Sequence, residues 1–368
     1  MQRAKILDSL EGIKKIDREG MLLFCVEAAK HYEEAAKIAR NLSVDYPKPQ
    51  TIVVAGMGGS AIGGELLKDW ANDRIAIPIE VQREYRLPAY VNKNTLVLVA
   101  SYSGETEESL SVFLDAAKRN CKIVCVSSGG SLLDFAEKMG LPFIRIPTGI
   151  PPRAALPYLF TPLPIILEKT GLVSNVDAEI AETIKVLKGV SNENMPEKPV
   201  TANFSKSLAS KINGTIPTVY GFGFYRAVAQ RFKQQFNENS KIPAKWEFFP
   251  ELNHNEIVGW EAAGALAKDF SIIFIRDKNE PKEIQVRIET TKELISAEEV
   301  KTFEVWSRGE SKLAKMLSTI LIGDFTSVYL AILRGVDPTP VKTISLLKER
   351  MQQSGTKEKI LRELQKLV

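Results

Sequence analysis

Apolar residues near the start of the chain fall at helical intervals: Met21, Phe24, Cys25 and Ala28 share one face, and residues 5–41 are read as helices. The period then changes. Thr51–Ala55 is a short β-branched run closed by Gly56, a glycine-rich turn follows, and residues 65–70 return to helical spacing. The same order of strand, loop and helix recurs at Thr95–Ala100, 101–106 and 107–119, and residues 122–126 and 143–146 add two further strand candidates. Short apolar strands separated by helices imply a parallel sheet covered on both faces.

Residues 147–164 are rich in proline, contain Arg153 and are read as a structured loop. A helix is expected over 176–188, and the polar, proline-bearing stretch 191–199 marks a domain boundary. Beyond it the pattern repeats, with strand candidates at 218–221, 245–248, 270–275 and 284–288, a long helix over 311–334 and a terminal helix from Val341. The expected fold class is α/β, with two domains that are each a mainly parallel sheet flanked by helices. The first spans 1–190 with the N-terminal helices, the second 200–368 with the C-terminal ones.

Two loops carry candidate chemistry. Gly56-Met57-Gly58-Gly59-Ser60-Ala61-Ile62-Gly63-Gly64 follows a strand and opens a helix, where glycines let backbone N–H groups approach an anion. It also fits the dinucleotide pattern G-x-G-x-x-A, with Glu80 about where a ribose-binding acid belongs, or it could be a tight turn only. Ser101-Tyr102-Ser103-Gly104-Glu105-Thr106 follows the next strand. Three hydroxyls, a glycine and a helix start converge there on one anion-binding spot. Helix capping needs only Ser103 or Thr106, and a dehydrogenase does not need the cluster, so a phosphate monoester is the favoured ligand.

Composition narrows the classes. The net charge is +4 over 368 residues and Lys and Arg are interleaved with Asp and Glu, which does not suit a nucleic-acid partner. The three cysteines Cys25, Cys121 and Cys125 form no disulfide framework and suit a reducing cytoplasm; Cys121 and Cys125 are read as packing residues rather than zinc ligands. Residues 1–11 are polar and hold no apolar signal core. The most lipid-like stretch, 316–333, contains Asp324 and is read as a core helix, not a membrane span.

The pair GMGGSAIGG and SYSGETEES, each at a strand end, closely resembles the sugar-isomerase (SIS) domain. The whole chain resembles the bifunctional phosphoglucose/phosphomannose isomerases, through PPRAALPY, FNENSK, ELNHNE and GDFTSVYLAILRGVDPTP as well. The resemblance implies a homodimer of two-domain subunits that interconverts glucose 6-phosphate, and mannose 6-phosphate, with fructose 6-phosphate through a cis-enediol, with no metal and no redox cofactor. It implies that Gly59, Ser60, Ser101, Ser103 and Thr106 hold the sugar phosphate. A sugar-phosphate-sensing protein of the same fold is the alternative.

Aldose–ketose chemistry needs a base between C1 and C2, a cation for the developing oxyanion, and an acid–base pair for ring opening. The resemblance marks Glu238, in Asn237-Glu238-Asn239, as the base; its flanking amides can orient a carboxylate. Of the two histidines, His31 sits on a polar helix face and receives no role. His254, in a polar loop, is an acid–base candidate, and the resemblance gives it ring opening in a neighbouring subunit. Arg153 sits in a proline-braced loop with no acid close by in sequence, and the resemblance gives it the enediolate. For the lysine two residues compete. Lys348 interrupts the stripe Val341, Ile344, Met351 and also aligns better with the family's lysine, whereas Lys342 lies on the polar side. A Lys348 stem that snorkels to water is the other possibility.

Overall fold

The computed structural model describes residues 4–297 and 299–368; the polar start Met1–Arg3 lies outside them. In chain order the elements are α1 (Leu10–Ile16), α2 (Met21–Val26), α3 (Ala28–Arg40), β1 (Thr51–Ala55), α4 (Gly58–Ala71), β2 (Ile79–Gln82), β3 (Thr95–Ala100), α5 (Glu107–Lys118), β4 (Lys122–Ser127), α6 (Gly130–Lys138) and β5 (Phe143–Arg145). There follow α7 (Leu156–Phe160), α8 (Pro162–Lys169), α9 (Val176–Asn194), α10 (Phe204–Ile212), β6 (Ile216–Phe222), α11 (Arg226–Glu238), β7 (Lys245–Phe249), β8 (Phe270–Arg276), α12 (Lys282–Ala297), β9 (Lys301–Trp306), α13 (Lys312–Arg334), α14 (Lys342–Gln352) and α15 (Thr356–Gln365).

Two compact units result. One joins residues 30–180 to 341–368; the other joins the chain up to Ala29 to residues 181–340. The expected division between 190 and 200 therefore moves in two ways. The stretch 191–199 is not a linker at its start, because α9 continues through Asn194. The terminal segments are also exchanged: the C-terminal helices belong to the first sheet's unit and α1 and α2 to the second's, while α3 stays with the first sheet from residue 30 onward. Side chains explain both attachments. Ile360 and Leu364 of α15 are buried in one cluster with Leu110, Phe113 and Ala116 of α5. At the other end, Lys206 of α10 donates to the carbonyls of Pro196 and Lys198, both at 2.7 Å, and to that of Leu7.

The first sheet has the order β2-β1-β3-β4-β5 and the second β7-β6-β8-β9, parallel throughout. All six residues of β3 are buried, as are four of the five in β1, because helices cover both faces. Cys125 is fully buried within β4, and burial pushes the Cys121 thiol up to about 11, as packing residues require. Residues 316–333 lie in α13, whose most apolar stretch is almost wholly buried in the protein.

Three sequence expectations change. Residues 284–288, read as a strand, lie in α12: a five-residue window alternates, but Ile288, Thr291 and Ile295 form a buried stripe at helical spacing. Residues 147–164 are a loop only as far as Ala155, since Pro157 and Pro162 sit in the first turns of α7 and α8, where a missing N–H costs nothing. The strands β2 and β9 escape the apolar search because they are edge strands with exposed or half-exposed polar positions.

Candidate functional site

The strand orders reverse direction beside β1 and beside β6. In the first sheet this places the loops after β1 and β3 next to each other at the carboxyl ends of adjacent strands, the usual ligand crevice of an open α/β sheet. Ser60, two residues into α4, and Ser101, the first residue past β3, are both buried there. Thr106 is the N-cap residue of α5, yet its side chain makes no capping bond. It receives the Ser101 hydroxyl at 3.0 Å instead. Ser103 is exposed and its oxygen accepts the Glu105 N–H at 3.2 Å, which leaves its own hydrogen to donate outward. Ser101 and Thr106 thus bond each other at a helix start instead of capping it, while Ser103 stands exposed on the same loop.

Neighbouring backbone fixes this loop. Gly104 has φ +69°, and a Cβ on it would lie 1.8 Å from the Gly129 carbonyl oxygen, so glycine is required. The Ser128 hydroxyl donates to the Tyr102 carbonyl at 2.6 Å, and the Leu132 N–H donates to that of Gly104 at 3.0 Å. Glu105 turns away from the spot: its carboxylate accepts the Ser131 N–H at 2.6 Å and hydroxyl at 2.9 Å and pairs with Lys357 of α15. Burial works to raise the Glu105 pKa, but Lys357 and Ser131 outweigh it and hold the carboxyl below its ordinary range.

Arg153 is brought to the same place. A Cβ on Gly59 would meet the Pro152 carbonyl oxygen at 2.9 Å, so the start of α4 and the Pro152–Arg153 backbone are in direct contact. Arg153 is only 3% exposed, a buried cation and not a solvated one. The Tyr102 hydroxyl donates to the Pro147 carbonyl at 3.2 Å and accepts the Ile150 N–H at 2.7 Å, tying this loop to the one after β3. Tyr102, Ser131 and Lys357 were not singled out from the sequence. An aromatic residue set among small hydroxyls at 101–103 was the available signal for Tyr102; nothing local marks Lys357.

The remaining candidates belong to other elements. Glu238 is the last residue of α11, half-buried, with Asn237 donating to the Ile242 carbonyl at 2.8 Å and Asn239 to the Ser327 hydroxyl at 2.9 Å. These amides hold the backbone on either side of the carboxylate. His254 is exposed just beyond β7, its N–H bonded to the Glu251 carbonyl at 2.9 Å. Since α11 runs back from the carboxyl end of β6, Glu238 lies at the amino side of this sheet and His254 beyond the carboxyl end of β7. The five residues of β7 alone span roughly 15 Å, so one unit does not join the two. His31 packs on Tyr158, with Nδ1 2.9 Å from its hydroxyl.

The stripe that favoured Lys348 is not packed. No residue of α14 is buried, Ile344 is 40% and Met351 38% exposed, and Lys348 and Lys342 both face solvent. Burial therefore does not separate the two lysines. For the dinucleotide alternative, Glu80 is paired opposite Val53 inside β2, short of the strand's end, and accepts the Tyr90 hydroxyl. Among the described residues no three His, Cys, Asp or Glu side chains are grouped to hold a metal ion.

Comparison with known proteins decides the family. A bifunctional phosphoglucose/phosphomannose isomerase of Caldicellulosiruptor bescii is 43% identical over 324 residues, covering 87% of this chain and 96% of that one. The chain belongs to the bifunctional phosphoglucose/phosphomannose isomerase family. A member from Aquifex aeolicus is 34% identical, with 85% and 94% covered. Residues 201–351 match the model of the bacterial phospho-glucose isomerase C-terminal SIS domain. A relative from Sulfolobus acidocaldarius named D-glucosamine-6-phosphate 4-epimerase is 31% identical, covering 87% of this chain and 94% of that one, so the isomerase family has neighbours with other chemistry. In fold, a hypothetical protein of Thermus thermophilus superposes with a TM-score of 0.75 over 96% of this chain and 95% of that one, at 16% identity.

Proposed function

We propose that the chain isomerises glucose 6-phosphate, and its epimer mannose 6-phosphate, to fructose 6-phosphate through a cis-enediol, using no redox cofactor. One observation carries this beyond the family name. At the crevice between β1 and β3, the Thr106 hydroxyl makes no cap bond to its own helix and is bonded by Ser101, on the loop that also carries Ser103. Neutral hydroxyls and a helix start suit the phosphate of a substrate that must also leave. Gly59, Ser60, Ser101, Ser103 and Thr106 take the phosphate, and Arg153 offers a fixed cation to the enediolate oxygen.

Family likeness supports the other roles. Glu238 removes the proton from C2 and returns it to C1, while His254 and Lys348 serve ring opening and substrate oxygens. The separation of Glu238 and His254 by the length of β7 supports the view that His254 completes the centre of a neighbouring subunit, in a homodimer. Buried, unpaired cysteines suit a cytoplasmic setting. Relatives named as enzymes leave a purely sensory role without support.

The test is the double variant Ser103→Ala/Thr106→Ala. Each hydrogen bond to a charged group is worth about 1.5–3 kcal/mol, so affinity for both aldose phosphates should fall together by more than about tenfold. Inorganic phosphate should inhibit the parent enzyme competitively and lose that effect in the variant. An unchanged Michaelis constant, or tight nicotinamide dinucleotide binding by the parent, would overturn the assignment.

A further inference from the structure

The second unit repeats the backbone of the phosphate cradle and replaces its chemistry. Its central strand β6 runs into Gly221-Phe222-Gly223, as β1 runs into Gly56-Met57-Gly58, and the third residue of each triplet has a left-handed φ, +47° at Gly223 and +49° at Gly58. Beside them, β8 stands to β6 as β3 stands to β1 in the sheet order. Two positions can then be matched. Two residues after the left-handed glycine comes Ser60 in one unit and Tyr225 in the other; the first residue past the neighbouring strand is Ser101 in one and Asp277 in the other.

Those replacements bond to each other. Tyr225 is fully buried and its hydroxyl donates to Asp277 at 2.5 Å. Lys315 of α13 reaches the same carboxylate at 3.1 Å, and the Asn279 N–H donates to it at 2.8 Å. Burial alone would raise the Asp277 pKa, but the Tyr225 hydroxyl, the Asn279 N–H and Lys315 outweigh it, and the group stays ionised below the ordinary carboxylate range. The N-terminus of α13 is filled as well: the Glu182 carboxylate accepts the N–H groups of Glu310 at 2.6 Å and Ser311 at 3.1 Å. A cavity of about 520 Å³ opens over the Asp277–Lys315 pair, with Asn279, Ser307 and Arg308 in its wall. Tyr225, which bonds the wall residue Asp277, directly precedes α11, and the 13 residues of that helix put its start about 20 Å from Glu238.

We propose that the second unit's crevice is a phosphate cradle closed by the chain's own carboxylate: Asp277, held by Tyr225 and Lys315, stands where a phosphate ester would bind, so each chain takes one sugar phosphate. A dianion next to an ionised carboxylate is repelled, and the donors it would use are already engaged. What the first cradle binds rests on the proposed function; the closing of the second rests on these contacts alone.

Calorimetric titration of the full chain with inorganic phosphate tests it. The parent protein should show one site per chain. Asp277→Ser, which removes the carboxylate that Lys315 and Tyr225 bond, should gain a second site, at least about tenfold tighter than any trace of it in the parent. Asp277→Ala vacates the same position and frees the same donors, and it should gain the same site if the serine variant does not fold. Two sites in the parent, or no added site in a folded Asp277 variant, would overturn the proposal. Loss of the parent's site in Ser103→Ala/Thr106→Ala reports separately on the first cradle.

Discussion

Thr106 occupies the N-cap of α5 and leaves the cap unmade, because its oxygen receives the hydrogen of Ser101. In sequence a capping threonine and a ligand-binding threonine look the same; only the partner of the hydroxyl distinguishes them. Arg153 shows a similar limit. Flanking prolines mark a stiff loop, but what holds its backbone in place, Gly59 and Tyr102, is distant in sequence. Lys348 shows the opposite outcome, since a stripe of apolar residues on α14 promised an inward face and the helix packs none of it. Glu238 remains the sharpest test at this scale. Glu238→Gln keeps the shape of the side chain but cannot carry the proton, so turnover should fall by about 10²–10⁴-fold. Inhibition by inorganic phosphate should stay near the parent's value. A variant that keeps a large share of parental turnover would place the base elsewhere.

At the scale of elements, the buried strands were legible and the edges were not. The strands β1, β3 and β4 read as continuous apolar runs because helices cover both faces, whereas β2 and β9 alternate with polar residues at a sheet edge. One terminal helix is expected from Val341, but the segment breaks at Gly355 into α14 and α15, and nothing in the sequence says that α15 braces the loop after β3 through Lys357 and Glu105. Lys357→Met should therefore raise the Michaelis constant for both aldose phosphates and weaken phosphate inhibition, with kcat less affected, and Lys357→Arg should restore both. Equal loss of kcat and no change in phosphate inhibition would make the contact a matter of stability alone. The pH dependence has a definite sign. The depressed Glu105 pKa contributes stability that is complete above the unfolded value, near ~4.3, and is lost as pH falls through the folded value. The Tm difference between parent and Glu105→Gln should thus be present at neutral pH and vanish in acid; a constant difference across that range would contradict it.

For the whole molecule, the doubling of an α/β pattern could be read from the order of apolar runs, while the exchange of terminal segments could not. Helical periodicity says that 10–26 and 356–365 bury a face, but it does not say against which sheet. Fold and family leave the reaction open as well, because a relative of similar length is named as a 4-epimerase. Activity should persist in excess chelator, since no step assigned to Glu238, His254, Arg153 or Lys348 needs a metal; loss in chelator with recovery on adding zinc would contradict that. The most direct measurement supplies purified protein with glucose 6-phosphate, and separately with mannose 6-phosphate, in deuterated water and follows the products. An enediol isomerase gives fructose 6-phosphate from both, with solvent deuterium entering at C1. Absence of the ketose from both sugars, or a product epimerised at C4 in its place, would contradict it.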